Sequence, residues 1–148
     1  MKKPPRDTLE PIVGKKQWVA ITVYSLVMSA CSLGSVFLSH YTVHKAENWN
    51  PELCNNILFI TLILSQLLHV FNMTTDTLPF YKTDVFRNKF VWYALAVCVM
   101  LTSAGYMIEP VAKVLSLYPT TLIDIAIMLG FSLLTLVLNQ IFKRTRII

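Results

Sequence analysis

One apolar stretch of the sequence carries four polar side chains in close succession. Ser65, Gln66, His69 and Asn72 fall at spacings of three and four residues, which bring side chains to the same face of a helix. Gln66 and His69, with Ser65 and Asn72 beside them, are therefore predicted to form a polar stripe. Such a stripe either lines a path for a cation or holds a neighbouring helix by hydrogen bonds. No acidic residue stands beside it, so both interpretations stay open.

A second candidate cluster contains two histidines and an acid. His40, His44 and Glu47 are separated by four and three residues, and on one helix they would align three ligands of the type that a transition metal prefers. A fourth ligand is not evident. Contacts with lipid headgroups are the favoured interpretation, and the sequence predicts no metal site.

Other kinds of chemistry have little support in the composition. The chain has eight acidic residues, three histidines, three cysteines and four glycines, without a glycine-rich phosphate loop, paired carboxylates or a Ser-His-Asp arrangement. We expect no catalytic residues and no nucleotide binding. The cysteines are odd in number and lack a Cys-x-x-Cys pair, so no disulfide framework is predicted.

Four long apolar segments must position these residues. Hydrophobic residues make up 55% of the 148 residues and charged residues only 14%, whereas an average soluble domain has about 25% charged residues. A helix needs about 20 apolar residues to cross a bilayer, and the four segments each meet that requirement. None has the alternation of a barrel strand. The first and third have only scattered Ser, Thr and Cys, whereas a soluble bundle would need a polar stripe along each helix. The sequence predicts an all-α integral membrane four-helix bundle, with spans at about 18–39, 53–72, 90–108 and 122–142.

The acidic residues of these spans lie near their ends. Asp124 follows the start of the fourth span, where a carboxylate suits the positive end of the helix dipole or the water interface. Glu109 precedes Pro110, and this pair is expected to end the third helix. Because an autonomous cation-coupled transporter usually needs a buried acid, a small transporter that acts as an oligomer is disfavoured.

Basic residues predict the orientation of the spans. Eleven of the 13 lysines and arginines precede the first span, follow the fourth or lie between the second and third; Lys45 and Lys113 are in the other two loops. Basic loops stay in the cytoplasm, so both termini are predicted to be cytoplasmic. The positive charge is then expected to face anionic lipid headgroups, and no nucleic-acid partner is predicted.

Two motifs resemble a known family. The N-terminal MKKPPRDTLEPI is similar to the segment after the sixth transmembrane helix of type II P-type cation ATPases, of the bacterial calcium-pump type. The stretch SQLLHVFN, from Ser65 to Asn72, resembles their eighth helix, and Asn88-Lys89 resembles the start of their ninth. The resemblance extends in order over essentially the whole chain.

The resemblance implies a fold, a location and partners. Residues 1–148 would be the C-terminal domain of such a pump, with its last four helices in a bacterial plasma membrane. Expected partners are the lipid bilayer and the pump's remaining helices and cytoplasmic domains. ATP and magnesium would be bound only in a complete pump, so no cofactor is expected in this chain.

The resemblance also implies roles for particular residues. Gln66 stands where some calcium pumps carry a glutamate ligand and others a glutamine, which places Gln66 in the expected cation path. His69 and Asn72 are included in that path because they share the polar stripe with Gln66. Pro4, Pro5, Arg6 and Asp7 resemble the cytoplasmic loop that couples the membrane domain to the phosphorylation domain. An alternative is a free-standing four-span accessory or regulatory protein that binds a pump or lipid.

Overall fold

Helices and their connections make up the part of the chain that the structure describes. The computed structural model describes residues 14–45, 49–73, 84–115 and 117–144, and no strand occurs among them. The helices are α1 (Lys15–Thr42), α2 (Pro51–His69), which continues as a 3-10 turn over Val70–Asn72, α3 (Asp84–Arg87), α4 (Lys89–Met107), α5 (Glu109–Val114) and α6 (Leu122–Arg144).

Four of the helices are long and apolar enough to cross a membrane. These candidate spans are Gln17–Thr42, Pro51–Asn72, Lys89–Met107 and Leu122–Arg144. The predicted all-α architecture with four membrane-spanning helices is confirmed. The cytoplasmic location of both termini stays a prediction.

Local signals in the sequence explain where several helices begin and end. The Asn50 side chain accepts hydrogen bonds from the backbone N–H groups of Glu52 and Leu53, at 3.0 and 3.3 Å, and it thereby caps the start of α2. Glu109 and Pro110 open α5 directly after α4 has ended at Met107. Proline is tolerated in the first turn of a helix, because the backbone N–H that it lacks would have no acceptor within the helix there.

Three of the four spanning helices form the core of the bundle. Val36 of α1, Leu53, Ile57 and Ile60 of α2 and Met128 of α6 make one buried apolar cluster. α4 lies outside this core. The structure describes this helix over its whole length, and Gly105 is the one residue of it that is buried. The bundle is therefore a three-helix core with α4 at its side.

Polar side chains fill much of the interior between α1, α2 and α6. We call five of them the polar seam: Ser35, Thr61, Ser65, Ser132 and Thr135, all at most 1% exposed. The hydroxyl oxygens of Ser35 and Thr61 are 2.9 Å apart, and Ser132 donates to the Thr61 carbonyl at 3.3 Å. Small polar residues let helix backbones approach closely and hydrogen-bond across the interface, as is typical of membrane helices.

A side chain of α6 packs tightly against α1 at Gly34. A Cβ atom at this position would lie 2.7 Å from Cε1 of Phe131, whereas a Cβ at Gly130 of α6 would meet nothing within 4 Å. The α1–α6 contact therefore requires a residue without a side chain at position 34. Gly130 provides a matched control.

We expect Gly34→Ala to lower the free energy of unfolding by about 1–3 kcal/mol, the usual cost of overpacking. Gly130→Ala should be neutral or slightly stabilising, since alanine favours a helix by about 1 kcal/mol over glycine. Thermal unfolding of the purified chain in detergent, followed by circular dichroism, measures both. Equal stability of the two variants would contradict close packing at Gly34, and Phe131→Leu added to Gly34→Ala should restore stability.

Candidate functional site

The structure divides the predicted polar stripe of α2 between two faces. Ser65 and Asn72 are buried, His69 is half-buried and Gln66 is exposed. Successive residues of a helix point about 100° apart. His69, four residues after Ser65, therefore points within about 40° of the direction of Ser65, whereas Gln66, one residue after Ser65, points about 100° away. His69 therefore faces the core with Ser65 and Asn72, and Gln66 does not.

His69 joins α2 to both neighbouring helices of the core. Its ring meets Tyr24 of α1 edge to face, with 4.6 Å between ring centroids. Its Nδ1 lies 3.5 Å from Nδ2 of Asn139 on α6. The ring is thus positioned between all three core helices.

Asn72 ties the end of α2 to α6 in two ways. Its side-chain Nδ2 donates to the Leu136 carbonyl at 3.1 Å, and its own carbonyl accepts from Nζ of Lys143 at 3.2 Å. The side-chain oxygens of Asn72 and Asn139 are buried and have no hydrogen-bond partner among the described residues. We call this end of the bundle the Lys143 end.

Gln66 is the member of the stripe that remains accessible from outside the bundle. It lies six residues before the end of the span Pro51–Asn72, between Ser65 and Leu67. An amide in hydrocarbon needs a hydrogen-bonding partner, because its transfer from water without one costs several kcal/mol, about 2–7. Gln66 is therefore placed to meet a group outside the described bundle.

A buried acid at the opposite end of the bundle was not predicted. Asp124 lies in the first turn of α6, at the positive end of the helix dipole as expected, but it is fully buried and not at the water interface. It accepts hydrogen bonds from the backbone N–H and the hydroxyl of Thr121, at 2.9 and 2.7 Å, and the Asp124 N–H donates to the Thr121 hydroxyl at 3.2 Å. These reciprocal bonds cap the start of α6.

The same carboxylate also holds α1. The Ser39 hydroxyl donates to Oδ1 of Asp124, and Nε2 of His44 lies 3.3 Å from Oδ2. The Thr-x-x-Asp spacing would have predicted the cap, but Ser39 and His44 are 85 and 80 residues away in sequence. Only the packing of α1 against α6 brings them together.

The aligned histidine cluster does not form as one helical face. His40 stacks on Trp49, with 4.1 Å between ring centroids, whereas His44 lies beyond the end of α1 and faces Asp124. Glu47 is outside the described residues. Within the described ranges, no three His, Cys, Asp or Glu residues are grouped so that they could hold a metal ion.

Comparison with known proteins identifies the family. Residues 1–145 match the family model described as "Cation transporting ATPase, C-terminus". The chain belongs to this family. The match confirms the resemblance drawn from the two motifs and agrees with the four apolar helices.

A curated relative supports the same assignment. The cation-transporting ATPase C-terminal domain is 32% identical over 85 residues to "Calcium-transporting ATPase 1" of Bacillus cereus. The match covers 57% of this chain and 10% of the relative. No solved structure shows a significant match.

The predicted coupling segment of this cation-transporting ATPase domain is not described. Pro4, Pro5, Arg6 and Asp7 lie outside the described residues, and their role stays a prediction. The described part of the domain offers an exposed amide within the second half of a span, at Gln66, and buried polar clusters at both ends of its core. This arrangement can bind neighbouring helices and offer an amide oxygen to a cation.

We expect Asp124→Ala to destabilise the domain by about 2 kcal/mol. The variant removes the carboxylate half of the reciprocal cap of α6 and leaves the buried Ser39 hydroxyl without its acceptor, and each loss costs about 1 kcal/mol or more. Thermal unfolding in detergent measures the change.

Glu109→Ala is the matched control for that experiment. Glu109 is an exposed acid in the first turn of α5, so its removal should change the unfolding temperature little. A loss of stability equal to that of Asp124→Ala would show that the buried contacts of Asp124 contribute nothing specific.

Proposed function

We propose that this chain is the membrane part of an ATP-driven cation transporter, in which it supports the cation translocation core. The family match and the calcium-transporting relative favour this function. The single observation that carries the proposal is Gln66, an exposed amide within an apolar span. Polar groups at membrane depth are costly against lipid and are typical of ion pathways.

The stripe residues have different roles in this proposal. Gln66 faces helices outside this chain and contributes its side-chain oxygen to the cation path. His69 and Asn72 act on the same path by positioning Gln66. Their contacts with Asn139, Leu136 and the other core helices fix the rotation of α2. A one-residue rotation of α2 would turn Gln66 by about 100°.

Calcium is the proposed cation. Calcium prefers oxygen ligands, which include the amide carbonyl of glutamine, and the relative in Bacillus cereus is described as calcium-transporting. The remaining ligands would come from helices outside this chain. ATP and magnesium would be bound by cytoplasmic domains, also outside this chain, so we propose no catalytic residue here.

The proposed topology places both termini in the cytoplasm of a bacterial cell, with the domain in the plasma membrane. The 11 basic residues of the termini and the middle loop favour this orientation. The segment Pro4–Asp7 would then lie on the same side as the ATP-hydrolysing domains and could couple them to α1.

In a pump reassembled from this chain and its missing domains, we expect Gln66→Leu to weaken the apparent affinity for calcium several-fold. Leucine is apolar and removes the oxygen ligand. Calcium-dependent ATP hydrolysis in inverted membrane vesicles, titrated with free calcium, measures the affinity, and immunoblotting of the membranes checks insertion.

Two further variants make that titration decisive. Asn55→Leu removes another exposed amide, near the start of α2, and should leave the affinity unchanged; Gln66→Glu should retain or improve it. Unchanged affinity in Gln66→Leu would reduce Gln66 to a packing residue and contradict its place in the cation path.

We expect an epitope tag at either terminus to be cytoplasmic. In spheroplasts, a protease added outside should leave both tags intact, whereas in inverted vesicles it should remove both. A single engineered cysteine in the loop at 46–48 serves as the control and should react with an impermeant maleimide from outside. Cleavage of the N-terminal tag in spheroplasts would overturn the topology.

A further inference from the structure

A cleft lies between α4 and the three-helix core. It has a volume of about 460 Å³ and is walled by α2, α4 and α6. Ile60, Leu64 and Leu67 of α2, Val99 of α4, and Met128 and Leu129 of α6 form its apolar wall.

Two attachments near the ends of α4 join it to α2 and leave room for the cleft between them. At one end, the Tyr106 hydroxyl donates to Oδ1 of Asn56 at 2.8 Å. At the other, Trp92 packs on Phe71, with 5.2 Å between ring centroids, and its indole N–H donates to the Phe86 carbonyl. Between these two attachments the middle of α4 stands away from the core.

The cleft is short enough to lie within one leaflet of a bilayer. From Val99 to Tyr106 the wall extends along α4 for about 10 Å, at about 1.5 Å per residue, whereas the hydrocarbon core of a bilayer is about 30 Å thick. The Tyr106 end lies next to α5, whose charged Glu109 and Lys113 are exposed and suit the membrane surface. The cleft therefore runs from near that surface towards the centre of the membrane.

Three of the four hydroxyl-bearing residues on the wall have hydrogen-bonded hydroxyls, and the fourth is Thr120. The hydroxyls of Thr102 and Ser103 donate to the carbonyls of Cys98 and Val99, each at 2.9 Å, and the Tyr106 hydroxyl donates to Asn56. These three hydroxyl protons are thus not available to a ligand, and none of the lining residues is charged. The chemistry of the wall fits a hydrocarbon chain and does not fit an ion or a sugar.

We propose that the cleft binds one acyl chain of a glycerophospholipid, from the leaflet next to α5. An apolar space of this size gains nothing from water, which needs two to four polar partners, and an empty space would forfeit dispersion contacts along both walls. In a membrane the hydrocarbon that can enter sideways is an acyl chain. This inference depends on the membrane location of the helices and is independent of the pump function.

Filling the cleft tests the proposal. Val99→Phe adds a ring to the wall, and Val97→Phe adds the same ring to an exposed position of α4 that does not line the cleft. On α6, Leu129→Trp lines the cleft and Leu133→Trp does not. Each pair compares the same substitution on the same helix.

The measurement is native mass spectrometry of the full 148-residue chain. The chain is reconstituted into vesicles of phosphatidylethanolamine and phosphatidylglycerol and then transferred to a mild detergent. We expect wild type, Val97→Phe and Leu133→Trp to keep one phospholipid per chain. In Val99→Phe and Leu129→Trp, the fraction of chains with a bound phospholipid should fall at least fivefold. Circular dichroism of each variant checks that the helices are intact.

Four outcomes would overturn the proposal. They are a wild-type chain without bound lipid, an adduct with detergent only, equal loss of lipid from both members of a pair, and a second protein copy in place of lipid. Loss of helicity in Val99→Phe alone moves the decision to the Leu129 and Leu133 pair, which probes the cleft from the opposite wall.

Discussion

The absence of water from the hydrocarbon of a membrane is the constraint on which this structure depends. A polar side chain there must find its partner within the protein or on another protein. In the core formed by α1, α2 and α6, the polar seam satisfies this requirement through hydroxyl contacts such as Ser35 with Thr61 and Ser132 with the Thr61 carbonyl. Apolar side chains gain little from one another when lipid is equally apolar, so these contacts and close packing decide which helices associate.

Polar clusters at the two ends fix α6 along and around its axis. At one end Asp124 binds Ser39 of α1 and caps its own helix through Thr121. At the Lys143 end, Asn72 reaches the Leu136 carbonyl and Lys143 reaches the Asn72 carbonyl. Because α2 is held at this end and along the seam, its rotation is set, and the exposure of Gln66 follows from that rotation. The buried polar contacts on the core face of α2 thus determine where Gln66 points.

The sequence was sufficient for features that depend on neighbouring residues. Long apolar segments predicted four helices because hydropathy and helix length are local properties, and the Glu109-Pro110 pair predicted the end of α4. The stripe on α2 was only partly predictable: the spacing grouped Gln66 with His69, but the phase that separates them depends on which face α6 covers. The partners of Asp124 could not be predicted, since Ser39 and His44 lie more than 70 residues away and only tertiary packing joins them.

The position of α4 follows from the same rule. This helix has hydroxyl groups such as those of Thr102 and Ser103, but they bond to their own backbone and therefore offer nothing to the polar seam. Because the middle of α4 makes no hydrogen bond across the interface, packing against the core gives it little free energy over contact with lipid. It is held where specific contacts exist, at Tyr106 and at Trp92. A space accessible to an acyl chain between these contacts is thus the expected result of a bundle whose polar residues, and not its apolar ones, select the helices of the core.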